Sequence, residues 1–335
     1  MSSSSSSTSL GANLVLLGSV FLALQNVILR IVFVPSPIFG QGLVGGWLEP
    51  GFGNALLLLW LRTLLMAVLL LAIAPRLHPP VWADLKRLTQ QHRLLGWSVL
   101  SGVLLAIALT LLNLAISQVA TGIAIGVFFT HPAWTVLLAW WVWGDRPTRL
   151  RLWLMVGILA GVLVTTFPPL SGNPWPLLQG GVVAIAAAGI YSAYSLTTQI
   201  CLRPRQSEPP SPYLHPVPFS LVNFLITVVF TSFSLVGRSL GEFEATGLEL
   251  LTAGLAAAAA ALLAYILLNF GVSMVGAALA NLVSAITPVL SAIFAWIFLG
   301  ETLRLWQGAG VLLVAIGVGL LGWSMSAKSP IPKSK

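Results

Sequence analysis

Apolar residues in this chain come in unbroken blocks, each about as long as the hydrocarbon core of a bilayer is thick. Crossing that core takes roughly 20 helical residues, and the blocks at 13–34 and 52–74 have that length. Lipid offers no partner to backbone N–H and C=O groups, so such a segment must satisfy them within itself, as a helix does. A transmembrane barrel would read as short segments of alternating polarity, and none is visible. Charge agrees with helices in lipid. Only 7% of the 335 residues are charged, against roughly 25% in a soluble domain, too few to coat a globule of this size. The expected fold class is an all-α integral membrane protein.

Apolar runs between polar, glycine and proline punctuation predict about ten transmembrane helices, at 13–34, 52–74, 94–115, 121–143, 150–167, 179–201, 217–237, 250–270, 275–299 and 304–324. The connections at 115/121 and 270/275 are the shortest. The first block is too long for a signal-peptide core and lacks a basic leader. It reads as a retained helix behind a disordered serine-rich start, Ser2 to Ser7.

Lysine and arginine test this count. With the N-terminus inside, the inner segments hold twelve: Arg76, Lys86, Arg87, Arg93, Arg146, Arg149, Arg151, Arg203, Arg205, Lys328, Lys333 and Lys335. The outer segments hold two, Arg238 and Arg304, and Arg30 and Arg62 fall inside helices. That asymmetry is the positive-inside rule. It predicts cytoplasmic termini, in what is expected to be the plasma membrane. The same placement accounts for the net charge of +8 without a nucleic-acid partner. Cys201 is the only cysteine, which excludes an intrachain disulfide and a cysteine-based metal site. No cofactor and no metal are expected; the expected partners are a small-molecule substrate and the lipid bilayer.

Residues 111–145 and 267–301 align without a gap at an offset of 156. Leu111, Leu112, Asn113, Ser117, Val119, Ala124, Val127, Pro132, Ala139, Trp140 and Gly144 recur identically, and Asp145 meets Glu301. Asparagine, proline and a Gly-acid pair are rare in apolar segments, so shared hydrophobicity does not explain the match. Five predicted helices per half, an odd number, turn the second half upside down in the membrane. Inverted repeats are the architecture of alternating-access carriers, with substrate near the midplane. The expected division is a serine-rich start over 1–12, a first five-helix repeat over 13–167 and a linker over 168–178. A second five-helix repeat follows over 179–324, with a basic cytoplasmic tail over 325–335.

Leu94 to Val164, and again Ala264 to Leu321, resembles the EamA-type halves of the drug/metabolite transporter superfamily. The shared features are an apolar helix ending near Asn113 or Asn269, a short turn, a helix broken at Pro132 or Pro288, a Gly-acid turn and a closing glycine-rich helix. Arg62, in LWLRTLLMAVLLL, matches the arginine common in that family's second helix. The resemblance implies ten helices, a central cavity and export or exchange of metabolites. The chain departs from the pattern in two places. Asp145 stands where the family usually has Glu, and Pro35 to Gly51 is a longer outer connection than usual. That segment is either a lid carrying Phe39 and Trp47 or a loose loop.

Arg62 is the sharpest candidate site residue, because a mid-helix arginine costs about 2.5–3.5 kcal/mol to insert and no Asp or Glu falls within a predicted span. It either attracts an anionic substrate group in a cavity or bonds backbone carbonyls. His131 is the near-neutral titratable group inside a span, as a proton relay or as a neutral hydrogen-bonded side chain. Pro132 and Pro288 should kink their helices at matching places. Asn26, Asn113, Asn269 and Asn281 face the cavity or bond between helices, a bond worth about 0.6 kcal/mol. Tyr191 and Tyr194, three residues apart on one helical face, form a plausible aromatic wall. The pairs Gly144–Asp145 and Gly300–Glu301 read as a helix stop followed by a cap on the next helix. Gly122 with Gly126, and Gly157 with Gly161, read as close-packing seams.

The function these features point to is a secondary transporter moving an amino acid or similar organic solute, in the export direction or by exchange. The alternatives are a channel, a non-transporting membrane subunit, or an exchanger of phosphorylated or nucleotide-sugar metabolites. An intramembrane enzyme is disfavoured, since no Gly-x-Ser-x-Gly turn accompanies any serine.

Overall fold

The computed structural model describes residues 2–40, 42–49, 51–143, 148–165, 175–202, 213–236, 247–284 and 286–326, with side chains omitted at some helical positions. In chain order the elements are α1 (Ser2–Phe33) and a small antiparallel hairpin of β1 (Ser36–Pro37) and β2 (Leu43–Val44). Then come α2 (Phe52–Leu77), α3 (Val81–Gln90), α4 (His92–Gln118), α5 (Thr121–Phe128), α6 (His131–Trp143) and α7 (Arg149–Thr165). The second part holds α8 (Trp175–Leu202), α9 (Pro216–Leu235), α10 (Gly247–Ser284), α11 (Thr287–Leu299) and α12 (Leu305–Ser326). Six helices are long and apolar enough to cross a membrane: Leu10–Phe33, Phe52–Leu77, His92–Gln118, Leu177–Leu202, Pro216–Leu235 and Gly247–Leu268. Shorter apolar helices cover Leu152–Val162, Thr287–Leu299 and Leu305–Leu320. Large apolar side chains such as Trp141, Phe233 and Val236 point outward, as they do where lipid is the solvent. The chain is a multi-pass membrane protein.

The most extensive helix pairs are α1 with α10, α4 with α8, α7 with α12 and α2 with α9. The largest core cluster gathers Leu29, Val32, Leu58, Ile116, Ile125, Phe128, Ile158, Ala187 and Val314, so it draws on both ends of the sequence. Glycines set several approaches. A Cβ on Gly102 would lie 2.7 Å from Ile226 of α9, and one on Gly161 would lie 2.9 Å from Val314 and 3.1 Å from the Gly310 carbonyl of α12. Gly122 and Gly126 likewise meet Ala292 and Val311. Gly157 has nothing within 4 Å, so it lies outside the seam its spacing suggested.

The course of the helices differs from the sequence expectation in four places. Helical backbone begins at Ser2, through the serine run expected to be disordered. Serine costs little in a helix, and extending an established apolar helix needs no new nucleus. The division at 270/275 is absent, and α10 runs on to Ser284. No proline interrupts that stretch, and Gly271 serves packing instead of a turn: a Cβ there would lie 2.4 Å from Val15 of α1. An unexpected short helix, α3, fills the basic connection after α2. Val81 and Leu88 are buried while Lys86 and Arg87 are exposed, the pattern of a helix lying at an interface.

The fourth difference concerns the prolines. Instead of kinking a continuous helix, each stands at the second position of a new one, α6 for Pro132 and α11 for Pro288. In a first turn the missing N–H is not needed. α5 ends at Phe128 and α6 begins at His131, while α10 ends at Ser284 and α11 begins at Thr287, so each new helix starts one residue before its proline.

Candidate substrate site

Arg62 lies near the middle of α2 and is only 3% exposed. Its Nε has no hydrogen-bond partner, and among the described residues it makes no ion pair. Tyr265 of α10 lies within electrostatic reach of Arg62 and of Tyr191 and Tyr194. A buried guanidinium beside Tyr265, with no carboxylate paired to it among the described residues, carries its positive charge without an ion-pair partner there. Desolvated charge of this kind is expensive, and an anionic ligand group would relieve it.

A small, partly open apolar cleft lies beside Tyr265, lined by Leu70, Val217, Ser220, Phe224, Leu262 and Tyr265 among others. Tyr265 is half-buried and packs edge-on to Phe224 at 5.6 Å between ring centroids. The cleft lies towards the C-terminal end of α2, since Pro216 also lines it and the preceding His215 stacks on His78, just beyond that helix.

The tyrosine pair expected as a wall is present, with ring centroids 5.0 Å apart. Tyr191 continues the wall to His131 at 4.7 Å and to Phe128 at 5.0 Å, and His131 also meets Phe129 at 5.4 Å. The imidazole sits at the α5/α6 break, and its Nδ1 has no partner. Ser192 ties the wall to that break, its hydroxyl donating to the His131 carbonyl at 2.6 Å. The structure thus brings His131, Tyr191 and Tyr194 together, with Arg62 related to them through Tyr265.

The asparagines divide. Asn26 donates to the Ser291 hydroxyl of α11 at 3.4 Å, and Asn113 donates to the Ala55 carbonyl of α2 at 3.4 Å. Both join helices, and the Asn113 Oδ1 is left without a partner. The side chains of Asn269, Asn281 and Pro132, and the whole of Asp145, lie outside the described residues.

Two charged residues that the sequence did not place together meet at the far end of α1. Arg30 Nε donates to Glu301 Oε1 at 2.6 Å, and its Nη1 donates to the carbonyls of Ile116 and Ser117 at 2.8 and 3.3 Å. Glu301 Oε2 accepts the backbone N–H of Thr121 at 3.1 Å. Gly300 does stop α11 in a left-handed conformation, φ 64°, with Glu301 N–H returning to the Ala295 carbonyl. The carboxylate, however, caps α5 instead of the next helix in sequence. Gln307 accepts the Arg304 N–H at the start of α12 in its place. The only hint of the pairing was a helical arginine without a nearby acid.

The connection expected as lid or loop is folded. β1 pairs with β2 through Ser36–Val44 and Pro37–Leu43, and the N–H groups of Gly46 and Leu48 bond the Ile31 and Val32 carbonyls that α1 leaves open. Phe39, at φ 51°, sits edge-on to Phe298 of α11 at 5.2 Å.

Comparison with known proteins adds relatives to this geometry. Residues 178–323 match the model of the EamA-like transporter family. An uncharacterized transporter of the cyanobacterium Synechocystis is 32% identical over 323 residues, covering 96% of this chain and 95% of that protein. A solved crystal structure of an undescribed protein shares 18% identity with a TM-score of 0.56, over 96% of this chain and 98% of that one. At that identity the likeness concerns the fold alone.

Proposed function

Because this chain belongs to the EamA-like transporter family, we propose that it is a secondary carrier moving a small organic solute with a carboxylate group, such as an amino acid, by alternating access. The observation that carries the substrate class is Arg62, buried in mid-helix with no acidic partner among the described residues and next to Tyr265 at the cleft. Export or exchange is the direction we assign.

In this reading the chain crosses the membrane ten times in two inverted halves. α5 and α6 together make one crossing, and the end of α10 with α11 makes another. The gapless repeat and the helix breaks before Pro132 and Pro288 support it. Discontinuous helices at matching places are where carriers of this architecture bind substrate. The lysine and arginine asymmetry supports cytoplasmic termini in the plasma membrane. The Arg30 end then faces outward and the His78 end faces the cytoplasm.

The test is counterflow. Purified protein in liposomes preloaded with amino acids and organic acids should show saturable uptake of a labelled carboxylate, accelerated by unlabelled solute inside. Arg62→Ala that folds should lose it. Flux without trans-acceleration would indicate a channel, and stronger transport of cations than of any carboxylate would overturn the role of Arg62.

A further inference from the structure

Closure of the molecule is uneven. At the His78 end a cleft leads to Tyr265. At the Arg30 end three regions distant in sequence are bonded through one ion pair: the end of α1, the turn from α4 into α5, and the turn after α11. Its side chains are only 12% and 17% exposed. The α2 helix between the two ends has 26 residues, about 39 Å at 1.5 Å per residue.

We infer that the Arg30–Glu301 pair is the bolt that closes the outer end of the transport path, with the β1–β2 hairpin strapped over it. The inference rests on the carrier reading above. Glu301 belongs to the second half, and its two partners, Arg30 and the Thr121 N–H, belong to the first. A carrier with a midplane site must separate such contacts on the outer side once per cycle, so what joins the halves there sets how often that side opens. Nothing else in the described ion pairs joins residues this far apart, since the other two lie within residues 78–87.

The bonds are suited to repeated opening. Arg30 and Glu301 keep some access to water, so parting them does not strand two fully buried charges, the costliest outcome for an ion pair. On parting, α5 loses the acceptor at its first turn, and the Ile116 and Ser117 carbonyls lose their guanidinium. Ala120, at the cap position, offers no side-chain bond to replace Glu301. Opening therefore loosens the start of α5, the helix that ends at the break beside His131, and so couples the outer end to the site. The hairpin follows α1 through the Gly46 and Leu48 bonds and rests on α11 through Phe39 and Phe298. Closing presses the two helices together beneath it.

The experiment uses a Cys201→Ser background, which has no other thiol, with Asn26→Cys as reporter. Asn26 lies one turn below Arg30 against Ser291 and is buried. Membrane-impermeant maleimide is applied from the outer side of proteoliposomes. With the native pair the reporter should label slowly. Glu301→Gln or Arg30→Gln should speed labelling about tenfold, the factor that the loss of a charge-assisted hydrogen bond predicts. The conservative exchange Glu301→Asp, which keeps the charge and an acceptor for the Thr121 N–H, should retain part of the protection, which a mere folding defect would not. Equal labelling in native and single-variant proteins overturns the bolt, even where counterflow by the native protein upholds the carrier. Absence of counterflow in the native protein refutes the carrier reading instead, whatever the labelling shows.

Discussion

His78 and His215 lie face to face, ring centroids 3.9 Å apart and planes within 3° of parallel, where α2 ends and α9 begins. His78 Nε2 also meets Asp84 Oδ2 at 2.8 Å, and His215 Nδ1 accepts the Val217 N–H at the cap of α9. Burial and the neighbouring His78 hold His215 below its ordinary value of 6.5, with Asp84 pulling the other way. A histidine depressed in the folded state binds protons less readily than in the unfolded chain. The stability linked to it is present above pH 6.5 and is lost as pH falls through and below that value. The melting temperature in detergent should therefore drop between pH 7.5 and 5.5, and less steeply in His215→Asn, which keeps an acceptor for the cap. Identical slopes would sink this account.

Tyr265 can be tested apart from Arg62. Tyr265→Phe keeps the ring against Phe224 and removes the hydroxyl beside the guanidinium. In counterflow it should raise the half-saturating concentration by about tenfold or more, the loss of one hydrogen bond to a charged group, with the maximal rate little changed. An unchanged half-saturating concentration would place Tyr265 outside the binding site.

Gly157 and Gly161 share a helix and differ in surroundings. Gly161→Ala drives a methyl group into the Gly310 backbone and Val314 and should destabilise the α7–α12 seam by about 1–3 kcal/mol. Gly157→Ala meets open space and should be neutral or stabilising by up to about 1 kcal/mol. Thermal or denaturant unfolding of the two variants decides; equal effects would contradict the seam.

Phe39 holds a left-handed conformation that favours asparagine or glycine over aromatic residues. Phe39→Asn should fit the backbone while losing the contact with Phe298. If the hairpin straps the outer end, the Asn26→Cys reporter should label faster in this variant with unchanged melting temperature. Slower or equal labelling would leave the hairpin no part in closure.

Much of the fold was legible because lipid imposes a simple rule on sequence. Apolar blocks of bilayer length had to be helices, and Pro132 and Pro288 had to interrupt them. The end of α10 was misread because Gly271 looks like punctuation in sequence, while in space it is the place where α1 comes close. Gly157 failed for the complementary reason: spacing identifies a small-residue stripe but not whether another helix lies against it. At the site, Tyr191 and Tyr194 were legible as neighbours on one helix face. Tyr265 and the Arg30–Glu301 pair depend on which helices become neighbours, and separations of up to 271 residues leave no local trace.

The bond that caps α5 also has a history in time. Arg30 and Thr121 emerge from the ribosome long before Glu301, which follows Arg30 by 271 residues. At about 5–20 residues per second that delay is roughly 14–54 s. Through that delay Arg30 lacks its carboxylate, and the start of α5 lacks it from the time Thr121 is made. The bond can therefore close only when most of the chain has been made, with α12 still to follow. A nascent chain cut short before residue 301 would carry Arg30 without its carboxylate and α5 without its cap.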